Sequence, residues 1–244
     1  NILTIKITGG QCMTIRIVTD SASDLPKNIV RKHNIKIVPL TVNFKEESFL
    51  DKFEITTDEF FNKLEKSEEL PTTSQVSPGE FVSAFNEVLV EGDEILGIFL
   101  AHELSGTVKS AQMAQEIIGS DKIHIVDSRS VSLGEAILVI KAIELINEGI
   151  EINNIVKILK ETTKKVKSAA VVDTLKYLEK GGRLSKKQAV IGSLLNIKPI
   201  LELKDGQVLA IDKVRGKKRA VKWISDWISK NHFDLTNKKI VLLN

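Results

Sequence analysis

Glu94-Ile95-Leu96-Gly97-Ile98-Phe99-Leu100-Ala101 is an almost unbroken apolar run of strand length, and five residues later Gly106 opens a helical pattern that reaches Ile118. A run with no alternation of polar and apolar positions predicts a strand buried on both faces. Lys122 to Asp127 reads as the next strand and Ser130 to Asn147 as the next helix. Strands separated by helices of this length imply parallel pairing through right-handed crossovers. Upstream, Ile15 to Thr19 forms a first strand ending in Asp20-Ser21-Ala22-Ser23-Asp24, with Asp24 near a helix cap and Pro26 in the first turn. Ile35 to Phe44 is β-rich, Thr57 to Lys66 reads helical, and Glu68 to Val76 reads as a loop. Ser77-Pro78-Gly79-Glu80 then supplies a cap, a proline and a capping-box glutamate for the following helix. The fold class is α/β, beginning with a doubly wound parallel-sheet domain.

The second half has a different texture. A helix over Ile152 to Val166 leads to a strand, Ser168 to Val172, and a short helix, Thr174 to Glu179. Gly181-Gly182-Arg183-Leu184-Ser185 precedes a helix over Lys186 to Leu195. Ile197 to Leu203 and Gln207 to Lys213 flank Lys204-Asp205-Gly206, whose Asp-Gly pair is a strong hairpin signal. A helix with Trp223 and Trp227 and a last strand, Lys239 to Leu243, follow. This mixture predicts a separate α+β domain. The expected boundaries are 1–12 as leader or expression residues, 13–155 as the α/β domain and 156–244 as an incomplete α+β domain. An edge strand over Ile2 to Thr8 is the alternative for the first segment, and the chain reads as truncated at Asn244.

A formal net charge of +3, from 35 basic and 32 acidic residues, is too balanced to indicate nucleic acid. The single cysteine, Cys12, cannot form an internal disulfide, which points to a reducing, cytoplasmic setting. The long apolar helix near Val131 to Ile150 carries Glu135, Lys141 and Glu144 at helical spacing and reads as amphipathic, so no integral membrane segment is predicted.

Two hydroxyl-rich stretches carry the chemistry: Pro71-Thr72-Thr73-Ser74-Gln75 and Leu104-Ser105-Gly106-Thr107. Each is expected in a loop before a helix, where backbone N–H groups and a positive dipole end favour an anion. Asp20-Ser21 and Asp127-Ser128 fall at the carboxyl ends of other strands, where open parallel sheets gather ligands. The bland alternatives are that Ser105 is only a helix cap and that Thr72, Thr73 and Ser74 are ordinary turn residues. There is no Gly-x-Ser-x-Gly elbow, no nucleotide-binding Gly-Lys-Ser/Thr loop and no metal-ligand cluster. His102 is the one histidine near a hydroxyl loop, which leaves an acyl hydrolase or transferase using Ser105 with His102 as the enzymatic alternative. Lys213, Arg215, Lys217, Lys218 and Arg219 form a basic cluster, read as a solvated face or a docking patch for an acidic partner.

Taken in order, Thr19-Asp20-Ser21, Pro71-Thr72-Thr73-Ser74-Gln75, Leu104-Ser105-Gly106-Thr107, Asp127-Ser128, Gly182-Arg183-Leu184-Ser185, Ile197-Lys198-Pro199-Ile200-Leu201 and Val214-Arg215-Gly216-Lys217-Lys218-Arg219-Ala220 resemble the DegV family of bacterial fatty-acid-binding proteins. Several members are the acyl-carrying subunits of fatty acid kinase. The resemblance runs from about Met13 to the end. It implies a non-catalytic protein that holds one long-chain fatty acid between two domains and presents its carboxylate to a separate ATP-binding kinase subunit. It places Thr72, Ser105, Gly106 and Arg183 at the head group, with Thr73, Ser74, Asp20 and Ser21 in the vicinity. Arg215, Lys217, Lys218 and Arg219 become the docking patch. The ligand is the fatty acid itself, with no cofactor or metal. The chain departs from the family pattern at Ala101-His102-Glu103, where small hydroxylic residues are usual. Family members also continue past the position of Asn244 with a Gly-rich segment bearing a histidine of the carboxylate network.

Overall fold

The computed structural model describes residues 4–5, 13–89, 93–184 and 196–231. Contacts divide the chain into Asn1–Lys165 and Val166–Asn244. The division keeps the helix beginning at Ile152 whole within the first unit, ten residues beyond the expected boundary at 155. Ser185, the helix predicted over Lys186 to Leu195, and the strand predicted over Lys239 to Leu243 lie outside the described residues. So does most of the 1–12 segment.

In chain order the first unit comprises β1 (Thr4–Ile5), β2 (Met13–Asp20), a 3-10 turn (Ser21–Ser23), α1 (Lys27–Lys32), β3 (Lys36–Val38), β4 (Thr41–Asn43), β5 (Ser48–Leu50), α2 (Thr57–Lys66), β6 (Thr72–Ser74), α3 (Pro78–Val88), β7 (Glu94–Phe99), α4 (Thr107–Ile118), β8 (Ile123–Asp127), α5 (Leu133–Asn147) and α6 (Ile152–Thr163). β3, β2, β7 and β8 lie side by side and parallel. β1 pairs antiparallel with the start of β2, so Thr4 and Ile5 adopt the edge-strand alternative.

The core explains the apolar run. Ile95 and Phe99 of β7 join Val18, Ile123, Phe81, Phe85, Val108 and Ala111 in one cluster with α3 and α4. Leu96 and Ile98 point the other way by the two-residue period of a strand and are equally buried. α5 packs across β2 and β7 on that side, and α6 packs on β8. Glu135 does not join Lys141 and Glu144 on an outer face of α5 as expected. It is completely buried, whereas Lys141 and Glu144 pair with each other at 3.5 Å.

The β-rich stretch is resolved into strands, and two further expectations are corrected. The β-rich stretch 35–44 is two strands: β3 completes the parallel sheet, whereas β4 turns away to pair antiparallel with β5 and β6. Residues 72–74 are therefore a strand and not a loop. All three are exposed, so no apolar alternation marks them, and only the non-local partner β4 makes them extended. Asp24 does not cap α1; it has left-handed backbone (φ 49°) and pairs with Lys52.

The second unit comprises β9 (Ser168–Val171), α7 (Lys176–Lys180), β10 (Ile197–Lys204), β11 (Gln207–Arg215) and α8 (Lys217–Lys230). β10 pairs antiparallel with β9 on one side and β11 on the other. Leu175, Leu184 and Leu201 form its small core, with Val172, Leu178, Val208 and Ala210 packed around them. The β10–β11 turn is made by Asp205 (φ 51°) and Gly206 (φ 80°), the pair of positive φ values that a two-residue hairpin of this twist requires. A Gly206→Ala substitution is expected to cost about 1–2 kcal/mol through its Cβ, read as a lower urea midpoint of the full chain.

Candidate functional site

The chain leaves β2 toward β3 on one side and later returns to place β7 on the other, so the loops after β2 and β7 diverge. Doubly wound sheets take ligands at such a divergence, outside the carboxyl ends of the strands. Asp20, the last residue of β2, is buried at that point. One carboxylate oxygen accepts from the Leu100 N–H at 2.9 Å, and the other from the Ala22 N–H at 2.8 Å. Burial pushes the Asp20 carboxyl up to about 6, against the pull of those two amides. Ser21 is also buried, its hydroxyl accepting from Leu40 N–H at 3.1 Å. Asp20 and Ser21, two of the four residues expected in the ligand vicinity, are thus engaged inside the protein, tying strand ends and loops together.

Beneath them, Glu135 accepts from Thr19 Oγ1 at 3.0 Å through one oxygen, and the other has no hydrogen-bond partner among the described residues. Burial, and next the charge of Asp20, raise its carboxyl well above the ordinary range. Glu135 was missed as an electrostatic element because its helical spacing matches that of the surface charges on the same helix.

Ser105 and Gly106 lie just before α4. The cap position is Gly106, which offers no side chain, so Ser105 is not the cap. Its hydroxyl accepts from Thr107 N–H at 3.3 Å and lies 2.9 Å from the buried Thr107 hydroxyl. The Ser105 side chain is half-buried, and the α4 N-terminus behind it directs N–H groups and a positive dipole end toward the same point. The loop is braced from below by Ala101 N–H, which donates to Ser130 carbonyl at 2.7 Å.

The hydroxyl strand meets this loop through Gln75. Its Oε1 lies 1.9 Å from where a Cβ on Gly106 would be, and its Nε2 donates to the buried Ser110 Oγ at 2.9 Å. A side chain at Gly106 would thus have to displace the Gln75 amide, whereas the Gly106 φ of −73° suits any residue. Thr72 and Ser74 share one face of β6, where Ser74 Oγ accepts from Asn43 Nδ2 at 2.9 Å; Thr73 faces the other side. The Thr-Thr-Ser-Gln order held the signal for Gln75, but its partner 31 positions on, Gly106, could not be read from the sequence.

The Ser105–His102 pairing is not formed. His102 Nδ1 faces Asp127 Oδ2 at 2.5 Å and Nε2 faces Glu103 Oε1 at 3.0 Å, so both ring nitrogens are taken by carboxylates. Asp127 also accepts from Arg129 N–H at 2.8 Å, while the Ser128 hydroxyl is buried against the Ser130 carbonyl. Arg183 belongs to the second unit, is exposed, and donates to the Gly181 carbonyl at 2.6 Å. Arg215 ends β11, and Lys217, Lys218 and Arg219 form the exposed first turn of α8. Among the described residues no group of His, Cys, Asp and Glu is arranged to hold a metal ion, and no helix is long and apolar enough to cross a membrane.

The first unit is α/β, with hydroxyl-bearing segments near the ends of its parallel strands, and the second unit is α+β. Residues 14–244 match the family model described as "Uncharacterised protein, DegV family", and the chain belongs to the DegV family. A DegV domain-containing protein of Caldanaerobacter subterraneus subsp. tengcongensis is 40% identical over 230 residues, 94% of this chain and 82% of that protein. A DegV family protein from Thermus thermophilus, described as fatty acid binding, superposes with a TM-score of 0.82 at 37% identity, covering 88% of this chain and 77% of the other. DegV of Bacillus subtilis, described as a fatty acid binding protein, gives 0.77 at 36% identity, covering 89% and 77%.

Two predictions follow from this geometry. Because burial raises both Asp20 and Glu135, the folded chain binds protons more tightly than the unfolded one. The associated stability is complete below about pH 4 and is lost as pH rises, through about 6 for Asp20 and beyond that for Glu135. Glu135→Gln should therefore gain on the order of 1–3 kcal/mol over wild type at pH 8, a gain that shrinks toward pH 4 in urea titrations. Gly106→Ala displaces only the flexible end of Gln75, so it should cost about 1 kcal/mol, the worth of the lost Ser110 bond. A double-mutant cycle with Gln75→Ala should recover that amount as coupling.

Proposed function

We propose that this chain binds a long-chain fatty acid, with the carboxylate held by Thr72, Ser105 and the amide of Gly106. The observation that carries this reading is the Ser105–Gly106 turn itself. It sets a neutral hydroxyl donor before a twelve-residue helix at a switch point, and Gln75 joins it to the Thr72 strand. The fatty-acid-binding descriptions of the Thermus thermophilus and Bacillus subtilis relatives supply the ligand class. Arg183 is assigned to the head group, and Thr73 and Ser74 to its surroundings, by family resemblance.

Neutral donors suit such a task. Burying about 14 methylenes at roughly 0.8 kcal/mol each gives an upper bound near 11 kcal/mol, before ordering costs. The tail thus supplies affinity and the head-group contacts supply orientation. Hydroxyls hold a carboxylate without a buried ion pair and leave one oxygen open to chemistry elsewhere. In this reading the chain is a cytoplasmic, non-catalytic carrier that presents the carboxylate to an ATP-binding kinase subunit. Lys217, Lys218 and Arg219 support a docking role for the 215–219 patch, because three cations in the first turn of α8 oppose its dipole and so do not serve the helix.

Protein purified from bacteria should release a fatty acid on denaturing extraction, identified by its mass. The Thr72→Ala, Ser105→Ala double variant should retain its melting temperature and lose about tenfold or more in affinity, the worth of two hydrogen bonds to a charged group. Unchanged retention in that variant would remove both residues from the site.

A further inference from the structure

β6 and α4 belong to different layers of the first unit. β6 is an edge of the small antiparallel sheet, whereas α4 covers the parallel one. Gln75 joins them. Its Oε1 fills the space over Gly106, and its Nε2 is held by Ser110, which is buried one turn into α4 and whose own N–H bonds the Gly106 carbonyl at 3.0 Å. The amide is seated on the first turn of the helix whose N-terminus is the proposed anion site.

We propose that Gln75 is a positioning and specificity-determining residue for the carboxylate. Its neutral amide wedge sets the separation of Thr72 from Ser105 and leaves the positive end of α4 uncompensated for an incoming anion. The proposal rests on the fatty-acid reading of these loops. Thr72 is three residues from Gln75 along an extended segment, roughly 10 Å, so any shift of the wedge carries the hydroxyl strand with it. The choice of an amide is equally informative. A glutamate has the same shape, could accept from the Ser110 hydroxyl, and would be favoured by the helix dipole. The chain carries the neutral group, whose N–H donates to Ser110. A neutral group preserves the field that an anionic ligand uses.

The test compares oleic acid with oleyl alcohol of equal chain length, each displacing a fluorescent fatty-acid probe from the delipidated full chain. Wild type should prefer the acid. Gln75→Glu should keep or raise the melting temperature and keep its alcohol affinity, yet lose about tenfold or more in acid affinity from like-charge repulsion. Gln75→Ala should reduce the acid-to-alcohol ratio by a smaller factor, about threefold, and it decides the matter should the glutamate variant not fold. The proposal is overturned if the ratio is the same in all three proteins, or if both ligands weaken in parallel in the variants. A wild type that binds neither ligand removes the fatty-acid reading, and this inference with it.

Discussion

The carboxylate of Asp20 holds the carboxyl ends of β2 and β7 together, one oxygen on the Leu100 amide and the other on the Ala22 amide. Everything proposed for the site depends on that tie. It fixes the start of the segment from Leu100 to Ser105 to the end of β2, although the loops beyond the two strands diverge. The bond is costly, since a carboxylate that is fully buried is pushed up in pKa even with two amides facing it. Glu135 nearby adds to the cost, and the fold accepts both buried acids close to the ends of its parallel strands.

Apart from these buried acids the site is neutral. Ser105, Thr107, Gln75 and Ser110 form a connected set of hydroxyl and amide groups. His102 is engaged by Asp127 and Glu103. Hydroxyl and amide donors of this kind can orient an anion. At the departure Ala101-His102-Glu103, the His102 ring links the loop to the end of β8 through Asp127.

The parallel sheet was legible in the chain because β7 is apolar on both sides and helical patterns separate its strands, with a capping box opening α3. The hairpin was legible because Asp205-Gly206 meets a backbone requirement that few dipeptides satisfy. These are local constraints, written in consecutive residues. The β6 strand was not legible, since an exposed Thr-Thr-Ser has no pattern to distinguish it from a turn, and β4 lies about thirty residues away. Glu135 misled for a related reason: helical spacing states which residues share a face, but not which face is buried.

By itself, then, the sequence determined the α/β class, the second α+β unit, the family and the hydroxyls available for an anion. Each follows from short-range propensity, capping chemistry or an ordered set of motifs. Only the tertiary structure decided that Asp20 and Ser21 are internal ties, that His102 serves Asp127 and Glu103, and that Gln75 rests on Gly106. Those relations join residues 20 to 100, 102 to 127 and 75 to 106. They are set by how layers stack, and a linear pattern carries no record of which distant atoms will share one small volume.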